Sequence, residues 1–456
     1  MAHFNDYSLA LGRFSAPAIA RASGLHEGLP LSSFASRSAL DREIDQLVRR
    51  LTQYGLMEYS FAAGGDDVVV IEPQTADYWP RAAKLAATDS IVLSRFAYMR
   101  RRGNDIVLES PRANALFRIN DPHVTAALTI LSIPHTIREL SALSGFPGTD
   151  LLGLLVECRI LFKVDAADDD GRRASEGDHH LVLWDFHDLL FHARSTEGRH
   201  ANPLGGVYPH VGHIAPLPAV RTQWDGETIH LDKAAPSEPA SAFTELLRAR
   251  RSSREFDDAH PVTLAELSRL LDTAARISAS WDSDLDFGAD GPVLSYTSRP
   301  YPSGGSAYEL ELYLAVANCE GLKRGFYHYD AAEHALVALE VEPEQLDAML
   351  MAAAFAMDAG GPPQVLLTVA ARFGRISWKY ASIAYSLVLK DVGVLLQTLY
   401  LTATDMGLGG CAIGTNNIDL FAQMTGLEFH VEGPVGQFAL GRGLPQDSTS
   451  PPGSAG

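Results

Sequence analysis

The sequence predicts an α+β protein in which two helix-and-hairpin units precede a larger domain of strands and capped helices. Apolar residues recur at helical spacing and then form strand, turn and strand over residues 34–72, and this outline repeats from about residue 90. From Ser241 onward, strand-like runs alternate with helical segments. One segment, Trp378–Met406, is apolar nearly all round, which predicts a single long helix at a core or a subunit interface.

Composition narrows the possible classes of function. The chain has 456 residues, enough for two or three domains, and a formal net charge of −19. Such an acidic chain lacks the basic face that nucleic acid requires. No basic segment followed by an apolar run marks a signal peptide at the N-terminus. The apolar stretch at residues 381–403 carries Lys390 and Asp391, which a bilayer would penalise. We therefore expect a cytoplasmic protein with no membrane contact.

The first domain, residues 1–88, has the outline of a winged helix. A helical pattern that includes Leu40 and Ile44 precedes strands at Met57–Phe61 and Val68–Ile71. The second domain, residues 89–165, repeats that outline. Its predicted elements are a hairpin of Ile91–Arg100 and Asp105–Glu109 turned at Gly103-Asn104, a strand at Ala115–Ile119, helices at His123–Leu131, Ile137–Ser144 (N-cap Thr136) and Asp150–Cys158, and a strand at Ile160–Val164. Because the charge opposes DNA binding, we expect these domains to hold a peptide along a strand edge and a neighbouring helix.

Residues 166–240 form a polar connector that is predicted to run over the surface. It contains eight histidines, but their spacing and the lack of nearby cysteines do not support a metal site. The next domain, residues 241–445, begins with a capping box at Thr263–Glu266 and contains four predicted strands. These strands are Leu310–Ala317, Gly325–Tyr329, Gln364–Ala371 and Pro434–Leu440. The tail at residues 446–456 is rich in Ser, Pro and Gly and is predicted to be disordered.

A cluster of arginines and serines predicts an anion site. The stretch from Arg248 to Phe256 holds four arginines and two serines in nine residues, and Arg supplies forked, permanently charged donors that suit a phosphate. Downstream, Arg442 lies between two glycines as a second possible phosphate clamp. The alternative is a solvated basic turn at the end of a helix.

The glycine-rich stretch Gly407–Gly414 is not predicted to be a dinucleotide loop, because it follows a long helix and not a strand. No histidine lies within it, so Cys411 is expected to be a small buried thiol and not a nucleophile.

Four blocks in chain order resemble the flavin-dependent nitroreductase superfamily, and most closely its SagB-type dehydrogenases, the thiazole/oxazole (azoline) oxidases. The blocks are Arg250–Phe256, Arg299–Gly305 followed by Glu309 and Tyr313, Lys379-Tyr380 with the glycine-rich stretch, and Gly441-Arg442-Gly443. The likeness spans about residues 179–445. The two domains ahead of it resemble the peptide-recognition elements that such oxidases carry. One departure is Tyr308, where a His or similar polar residue commonly precedes the Glu.

The resemblance implies FMN bound in an α+β domain, with a mixed sheet and long central helices, at the interface of a homodimer. Carried over by motif, the phosphate and ribityl chain would be held by Arg250, Arg251, Ser252, Arg254 and Arg442. The flavin ring would be approached by Pro302, Ser303, Gly304 and Gly305 and by the backbone of Ala412, Ile413 and Gly414. The family's Lys-Tyr pair matches Lys379 and Tyr380.

The chemistry gives Lys379 its expected role. Oxidation of an azoline to an azole removes a hydride, which a flavin can accept, and a proton, which needs a base. A lysine partly desolvated at a flavin face can be neutral often enough to accept that proton, and Tyr380 can orient it or relay the proton. The alternative is a snorkelling lysine with a core tyrosine. That alternative is the weaker one, because the pair is expected at the start of a helix, which is a poor place for a cation.

The sequence therefore predicts an oxidase that converts thiazolines or oxazolines in a ribosomally made peptide to azoles, with dioxygen as the terminal acceptor. A cyclodehydratase is a possible partner. Two alternatives remain open. One is a nitroreductase that uses a nicotinamide donor on small molecules. The other is a flavin-free scaffold subunit of a peptide-modifying complex.

Overall fold

The computed structural model divides the chain into two compact units, residues 1–202 and 203–456. It describes residues 2–3, 8–9, 11–31, 38–53, 55–63, 65–164, 176–200, 204–221, 223, 225–231, 240–283, 285, 287–288 and 291–444. The predicted disordered tail and the start of the predicted connector lie outside these residues.

The N-terminal unit begins with two short paired strands and two packed helices. In chain order the first elements are β1 (Ala2–His3), β2 (Ser8–Leu9), α1 (Ala16–Ala22), a 3₁₀ turn at Ser23–Glu27, α2 (Ala39–Gln53), β3 (Tyr59–Ala63) and β4 (Asp66–Pro73). Helix α1 packs on α2 through Ala18, Ile44 and Val48. The helix and hairpin predicted for residues 34–72 are confirmed.

The remaining elements of this unit follow the predicted order. They are β5 (Ser90–Leu93), β6 (Tyr98–Arg102), β7 (Asp105–Glu109), β8 (Ala115–Ile119), α3 (Pro122–Ile130), β9 (His135–Thr136), α4 (Ile137–Ser141), α5 (Thr149–Glu157) and β10 (Leu161–Val164). The hairpin turns at Gly103-Asn104 as predicted, since Arg102 pairs with Asp105. Thr136 caps α4 in a reciprocal box with Glu139. The predicted arm Ile91–Arg100 is two strands, because the chain turns at Ser94, whose carbonyl accepts the Ala97 N–H, and buries Phe96.

One sheet joins the two predicted N-terminal domains. Its strand order is β3-β4-β8-β7-β6, so β4 of the first predicted domain pairs with β8 of the second, with Val69 opposite Ile119. A single apolar core runs from Tyr59 to Leu161. The predicted boundary at residue 88 therefore does not separate two compact domains. Local patterns identified the strands but not their pairing, which is set by burial of one shared core.

Part of the predicted connector belongs to the N-terminal unit. After a 3₁₀ turn at His179–Leu183, residues Phe186–Arg194 form a helix, α6, that the sequence analysis did not predict. Arg194 pairs with the buried Glu109 at 2.7 Å, and Arg112 pairs with Glu176 at 2.5 Å. Leu181 and Leu189 are fully buried. Residues 176–200 are thus packed structure, whereas residues 205–221 are exposed as predicted.

The C-terminal unit is built on a six-stranded sheet of order β15-β14-β13-β16-β18-β17. Its elements are α7 (Ala242–Ala249), α8 (Leu264–Ala275), β11 (Ala279–Asp282), β12 (Ser295–Ser298), β13 (Leu310–Val316), β14 (Gly325–Asp330), β15 (Ala335–Leu339), α9 (Pro343–Met357), β16 (Val365–Arg372), α10 (Phe373–Ser377), α11 (Ala384–Asp405), β17 (Gly409–Ile413), α12 (Ile418–Thr425) and β18 (Glu432–Gly441). The four predicted strands and the capping box of α8 are confirmed. All five strand pairs are antiparallel, so the expected mixed sheet is wrong.

Helix α11 is the long central helix, but it starts later than predicted. The chain breaks at Ser382, which has a φ of +62°, so Trp378–Met406 is the end of α10, a turn and α11. Val388, Val392, Leu395 and Leu399 form a buried stripe at helical spacing. Within the described ranges, α11 alone is long and apolar enough to cross a membrane by length and composition. It packs against α8, β17 and β18.

Candidate functional site

The arginine–serine block runs in extended form from the end of α7 alongside β17. The Ser253 N–H donates to the Gly410 carbonyl at 2.8 Å, and the Asp257 N–H donates to the Arg442 carbonyl at 2.8 Å. A Cβ on Gly409 would lie 2.8 Å from the Ser253 Cβ, so glycine is needed for this close approach. These contacts fix the block at the edge of the sheet where β17 has its free side.

Tyr400 of α11 organises the serine of this block. Its hydroxyl lies 2.9 Å from Ser252 Oγ and accepts the Ala412 N–H at 2.7 Å. Because the phenol oxygen already accepts one hydrogen, it is well placed to donate its own to Ser252. The Ser252 hydroxyl hydrogen then remains for a ligand. No sequence motif identified Tyr400 as a site residue. The one sequence feature that pointed to it was a tyrosine within the apolar pattern of the helix.

The cations of the block are uncompensated. Within the part of the chain that the structure describes, the guanidinium groups of Arg250, Arg251 and Arg254 have no hydrogen-bond or ion-pair partner. Only an aromatic contact is recorded, with the Arg250 guanidinium 5.0 Å from the centre of the Tyr400 ring. Three free guanidinium groups in a chain of net charge −19, beside a serine with a hydroxyl to donate, fit an anion such as a phosphate.

Arg442 has a different partner from the one expected. Its guanidinium makes two hydrogen bonds to the Glu266 carboxylate, at 2.9 and 2.8 Å, and a third to the His260 carbonyl at 3.3 Å. Glu266 is also the capping-box residue of α8. The charge of Arg442 is therefore already neutralised within the chain. Arg442 therefore connects the end of β18 to α8 and is not a free phosphate clamp.

We expect Arg442→Gln and Glu266→Gln to lower the free energy of unfolding by similar amounts, about 1 kcal/mol, because each removes the same partly exposed ion pair. FMN affinity should change little in either variant. If Arg442 instead clamps the phosphate, Glu266→Gln would release it and tighten FMN binding, while Arg442→Gln would weaken it. Urea unfolding and fluorescence titration with FMN separate the two outcomes.

A glycine turn precedes β13. The Ser303 hydroxyl and the Gly304 N–H both donate to Asp391 Oδ2 on α11, at 2.9 and 2.8 Å. Gly305 has a φ of +57°, and a Cβ there would lie 2.1 Å from the Tyr380 hydroxyl. The turn therefore requires glycine, and it presents bare backbone to whatever lies against it.

Lys379 and Tyr380 contact this turn. Lys379 Nζ donates to the Gly305 carbonyl at 2.8 Å and lies 5.1 Å from the centre of the Tyr296 ring and 5.4 Å from that of Tyr380. The pair follows the C-terminal end of α10 and does not open the long helix, so the argument from the start of a helix is wrong: this end favours a cation. The Lys379 side chain is exposed in the single chain.

Behind the turn lies a buried acid. Glu309 is 0% exposed, and within the described residues its Oε1 has no hydrogen-bond partner. Burial raises the pKa of the Glu309 carboxyl to about 7, with a further contribution from Asp391. Tyr308, the departure from the family pattern, packs edge-on against Tyr301, and its N–H donates to Ser303 Oγ.

Helix α11 sets the spacing between the two clusters. Tyr400 lies at the arginine–serine block and Asp391 at the glycine turn, nine residues earlier, which is about 13.5 Å along the helix axis. An elongated ligand with an anion at one end and a flat ring at the other suits two clusters at this separation. The contacts of the described residues form two groups, one of Arg250, Ser252 and Ala412 around Tyr400 and one of the glycine turn with Asp391 and Lys379, and the Arg442 side chain belongs to neither.

Two further predictions concern the glycine-rich stretch and metal binding. Gly409–Ile413 is an antiparallel edge strand and not the start of a dinucleotide-binding βαβ unit, and Cys411 is buried as expected. Of the described residues, one group has spacing that could hold a metal ion: Asp185, His187 and Asp188 near the start of α6. It is partly exposed and lies outside the clusters described above.

Two family profiles match parts of this chain. The profile of the nitroreductase family matches residues 247–442, and that of the cyanobactin oxidase ThcOx matches residues 91–201. The second match includes α6, in agreement with its packing in the N-terminal unit.

Three relatives illustrate the likeness. A Methanocaldococcus jannaschii protein named as a nitroreductase is 31% identical over 170 residues, covering 37% of this chain and 77% of that protein. The Escherichia coli microcin synthetase McbBCD complex with truncated pro-MccB17 bound has 21% identity and a TM-score of 0.38, covering 59% of this chain and 97% of that one. A Desulfovibrio desulfuricans nitroreductase-type protein in complex with FMN has 14% identity and a TM-score of 0.28, covering 47% and 94%. By its profile match and its archaeal relative, this chain is an oxidoreductase that belongs to the nitroreductase family.

Proposed function

We propose that this protein is an FMN-dependent azoline oxidase that converts thiazoline or oxazoline rings of a ribosomally synthesised peptide to thiazoles or oxazoles. The observation that carries the proposal is the contact between Lys379 Nζ and the Gly305 carbonyl at 2.8 Å. This contact supports the proposal, because it would hold a proton acceptor beside a glycine turn that a flat ring would approach. The match of residues 91–201 to a cyanobactin oxidase supports oxidation over reduction.

The residues present fit FMN. Arg250, Arg251, Ser252 and Arg254 would hold the phosphate and ribityl chain, since the three guanidinium groups have no competing acceptor among the described residues. Pro302–Gly305 and the backbone of Ala412–Gly414 would face the ring. Arg442 is left out of this set because Glu266 already occupies its guanidinium.

The chain's own contribution to the chemistry is removal of a proton. FMN, when bound, supplies an acceptor for the hydride that leaves one ring carbon, and the neighbouring atom must lose a proton. Lys379 would take that proton. Its Nζ lies 5.1 and 5.4 Å from the centres of the Tyr296 and Tyr380 rings and donates to the Gly305 carbonyl, so the amine is held at the turn where the flavin ring would lie. Tyr380 would orient the amine.

Turnover assays distinguish this function from its alternatives. The oxidase predicts a yellow protein that removes two hydrogens per ring from an azoline peptide and consumes dioxygen. Bleaching by NAD(P)H with turnover of nitroarenes, and none with azoline peptides, would indicate the small-molecule reductase. A colourless protein with no flavin after denaturation would leave only the third function, that of a flavin-free scaffold subunit.

We further propose that the N-terminal unit binds the precursor peptide. Its five-stranded sheet has two outer strands, β3 and β6, to which an extended peptide can add. Strand β6 also carries three consecutive arginines from Arg100 to Arg102. Of these, Arg100 pairs with Glu109 and Arg102 pairs with Glu72, so two of the charges are compensated.

Deleting residues 1–202 should weaken peptide affinity at least about tenfold and leave FMN affinity unchanged. The deletion ends at residue 202 because residues 176–200 pack with the N-terminal unit. Peptide binding by calorimetry and FMN binding by fluorescence test this. Equal peptide affinity in the deleted and full-length proteins would show that the unit serves another purpose.

A homodimer also belongs to this proposal. Leu389 and Val394 are exposed on the face of α11 that is turned away from the sheet, and a second copy would cover them. Cytoplasmic location, reoxidation by dioxygen and cooperation with a cyclodehydratase complete the proposal.

A further inference from the structure

Two buried carboxyl groups lie behind the glycine turn and have no part in proton removal by Lys379. Glu309 immediately precedes β13 and is fully buried, and Asp391 on α11 is 6% exposed. Asp391 Oδ2 accepts both the Ser303 hydroxyl and the Gly304 N–H. The two acids lie close enough for Asp391 to raise the pKa of the Glu309 carboxyl beyond the effect of burial. Asp391 thus holds one end of the turn directly. Glu309 affects the turn only through its proximity to Asp391.

A count of hydrogens shows that this pair needs a proton. Ser303 Oγ accepts the Tyr308 N–H, and its one hydrogen has two acceptors, Asp391 at 2.9 Å and Glu309 at 3.3 Å. If that hydrogen goes to the nearer Asp391, no donor on this serine is left for Glu309. Within the described residues, Glu309 Oε1 has no donor either. The Glu309 backbone N–H lowers the pKa of its own carboxyl, but burial and Asp391 outweigh it, because two neighbouring buried carboxylates are strongly unfavourable when both are ionised.

We propose that Glu309 and Asp391 share one proton, and that this proton keeps the Ser303–Gly305 turn where Gly305 can hold Lys379 and where the turn can receive the flavin ring. The inference rests on the proposed function, because it gives the turn a role in binding FMN and in placing the base. Glu309 and Asp391 are positioning residues that act through the turn.

The direction of the pH effect follows from the Glu309 pKa, which burial raises from 4.5 to about 7. The unfolded chain loses this proton near pH 4.5, whereas the folded chain keeps it to about pH 7. Stability from this site is therefore complete below pH 4.5 and decreases as pH rises from there through 7. Binding of FMN that requires the shared proton should weaken about tenfold per pH unit above 7.

Other charged or titratable groups surround the pair, so the effect has to be isolated by comparison of variants. Asp391 faces Glu309 from α11. The remaining neighbours are Arg299 and Tyr301 before the turn, Glu311 on β13, His328 on β14 in contact with Glu311, and Lys379 and Tyr380 beyond Gly305. Contact with Glu311 raises the pKa of His328, and Arg372 on β16 lies 3.7 Å from Glu311 and donates its N–H to the Glu309 carbonyl.

The test compares the full-length protein with Glu309→Gln at pH 5.5 to 8.5. The amide keeps the shape and a hydrogen to donate to Asp391 but cannot ionise. We expect the urea midpoint of the wild-type apoprotein to fall across this range relative to that of the variant. The ratio of FMN dissociation constants, wild type over variant, should rise about fivefold from pH 7 to pH 8. The FMN phosphate titrates in both proteins and cancels in this ratio.

Glu432→Gln is the matched control. Burial also raises the pKa of Glu432, which accepts a hydrogen bond from Tyr313 at 2.7 Å and has no contact with the turn. It should leave the pH dependence of FMN binding as in the wild type. Asp391→Asn provides a second variant: without the neighbouring negative charge, the fall in urea midpoint should move to lower pH.

Equal pH dependence in the wild type and Glu309→Gln would overturn the proposal, as would an unmoved transition in Asp391→Asn. These measurements of the apoprotein do not depend on azoline oxidation. A protein that shows the expected unfolding behaviour but never binds FMN would contradict the proposed function and the role of the turn in flavin binding. It would leave the shared proton established.

Discussion

Replacing Lys379 with alanine should reduce azoline oxidation by about 10²- to 10⁴-fold, the usual contribution of a positioned general base. FMN should remain bound, because Lys379 contacts the turn only through the Gly305 carbonyl and the described arginine–serine block is untouched. The loss should appear in kcat more than in KM, since the amine acts on the reacting atom and does not hold the peptide. Single-turnover oxidation of an azoline peptide, with flavin content measured in the same sample, checks this.

Lys390→Ala is the matched control for charge and length. Lys390 is an exposed lysine on α11, and its removal should leave turnover within about twofold of the wild type. Tyr380→Phe should lie between the two variants if the hydroxyl orients the amine. Full turnover in Lys379→Ala would remove this lysine from the chemistry, and the proton acceptor would then have to be sought elsewhere.

The sequence predicted the parts of the site that consist of consecutive residues. The arginine–serine block, the glycine turn and the Lys-Tyr pair were each visible as short motifs. Strands β13, β14, β16 and β18 and the capping box at Thr263 were also predicted, because period-two apolar runs and local capping rules depend on neighbours in the chain. Such features require no knowledge of the tertiary fold.

Features that depend on long-range packing were not predicted. Tyr400 and Asp391 looked like polar residues within an apolar helix, and their roles appear only when α11 lies against two distant segments. The pairing of β4 with β8 gave no local signal, so one sheet was divided into two domains. Arg442 was assigned to a phosphate because nothing in its own neighbourhood identifies Glu266, 176 residues away, as its partner.

The break before α11 shows how such an error affects mechanism. Apolar composition alone extended the helix back to Trp378, whereas Ser382 adopts a left-handed conformation that ends it. Lys379 therefore follows the end of one helix and does not begin another. The helix-end argument against a snorkelling lysine is therefore lost, and the proposed role of Lys379 depends on its contact with the Gly305 carbonyl.

Exchanging both Arg250 and Arg254 for glutamine should weaken FMN binding at least about 100-fold. Hydrogen bonds to a charged partner contribute about 1.5–3 kcal/mol each, and 1.4 kcal/mol corresponds to a factor of ten. Both side chains lack a partner among the described residues, so their removal leaves no buried carboxylate unpaired and the fold should be unaffected. Fluorescence titration of the apoprotein with FMN measures the effect.

Arg248→Gln is the matched control for this variant. Arg248 lies in α7, just before the block, and pairs with Glu245 at 3.3 Å on an exposed surface, so its loss should change FMN affinity less than about threefold. Riboflavin, which lacks the phosphate, sharpens the comparison: its affinity should be the same in the wild type and in the double variant. If the double variant loses riboflavin as strongly as FMN, the arginines support the ring site and not the phosphate. Unchanged FMN affinity would leave the clustered guanidinium groups as a solvated basic turn, and the flavin would have to be held elsewhere.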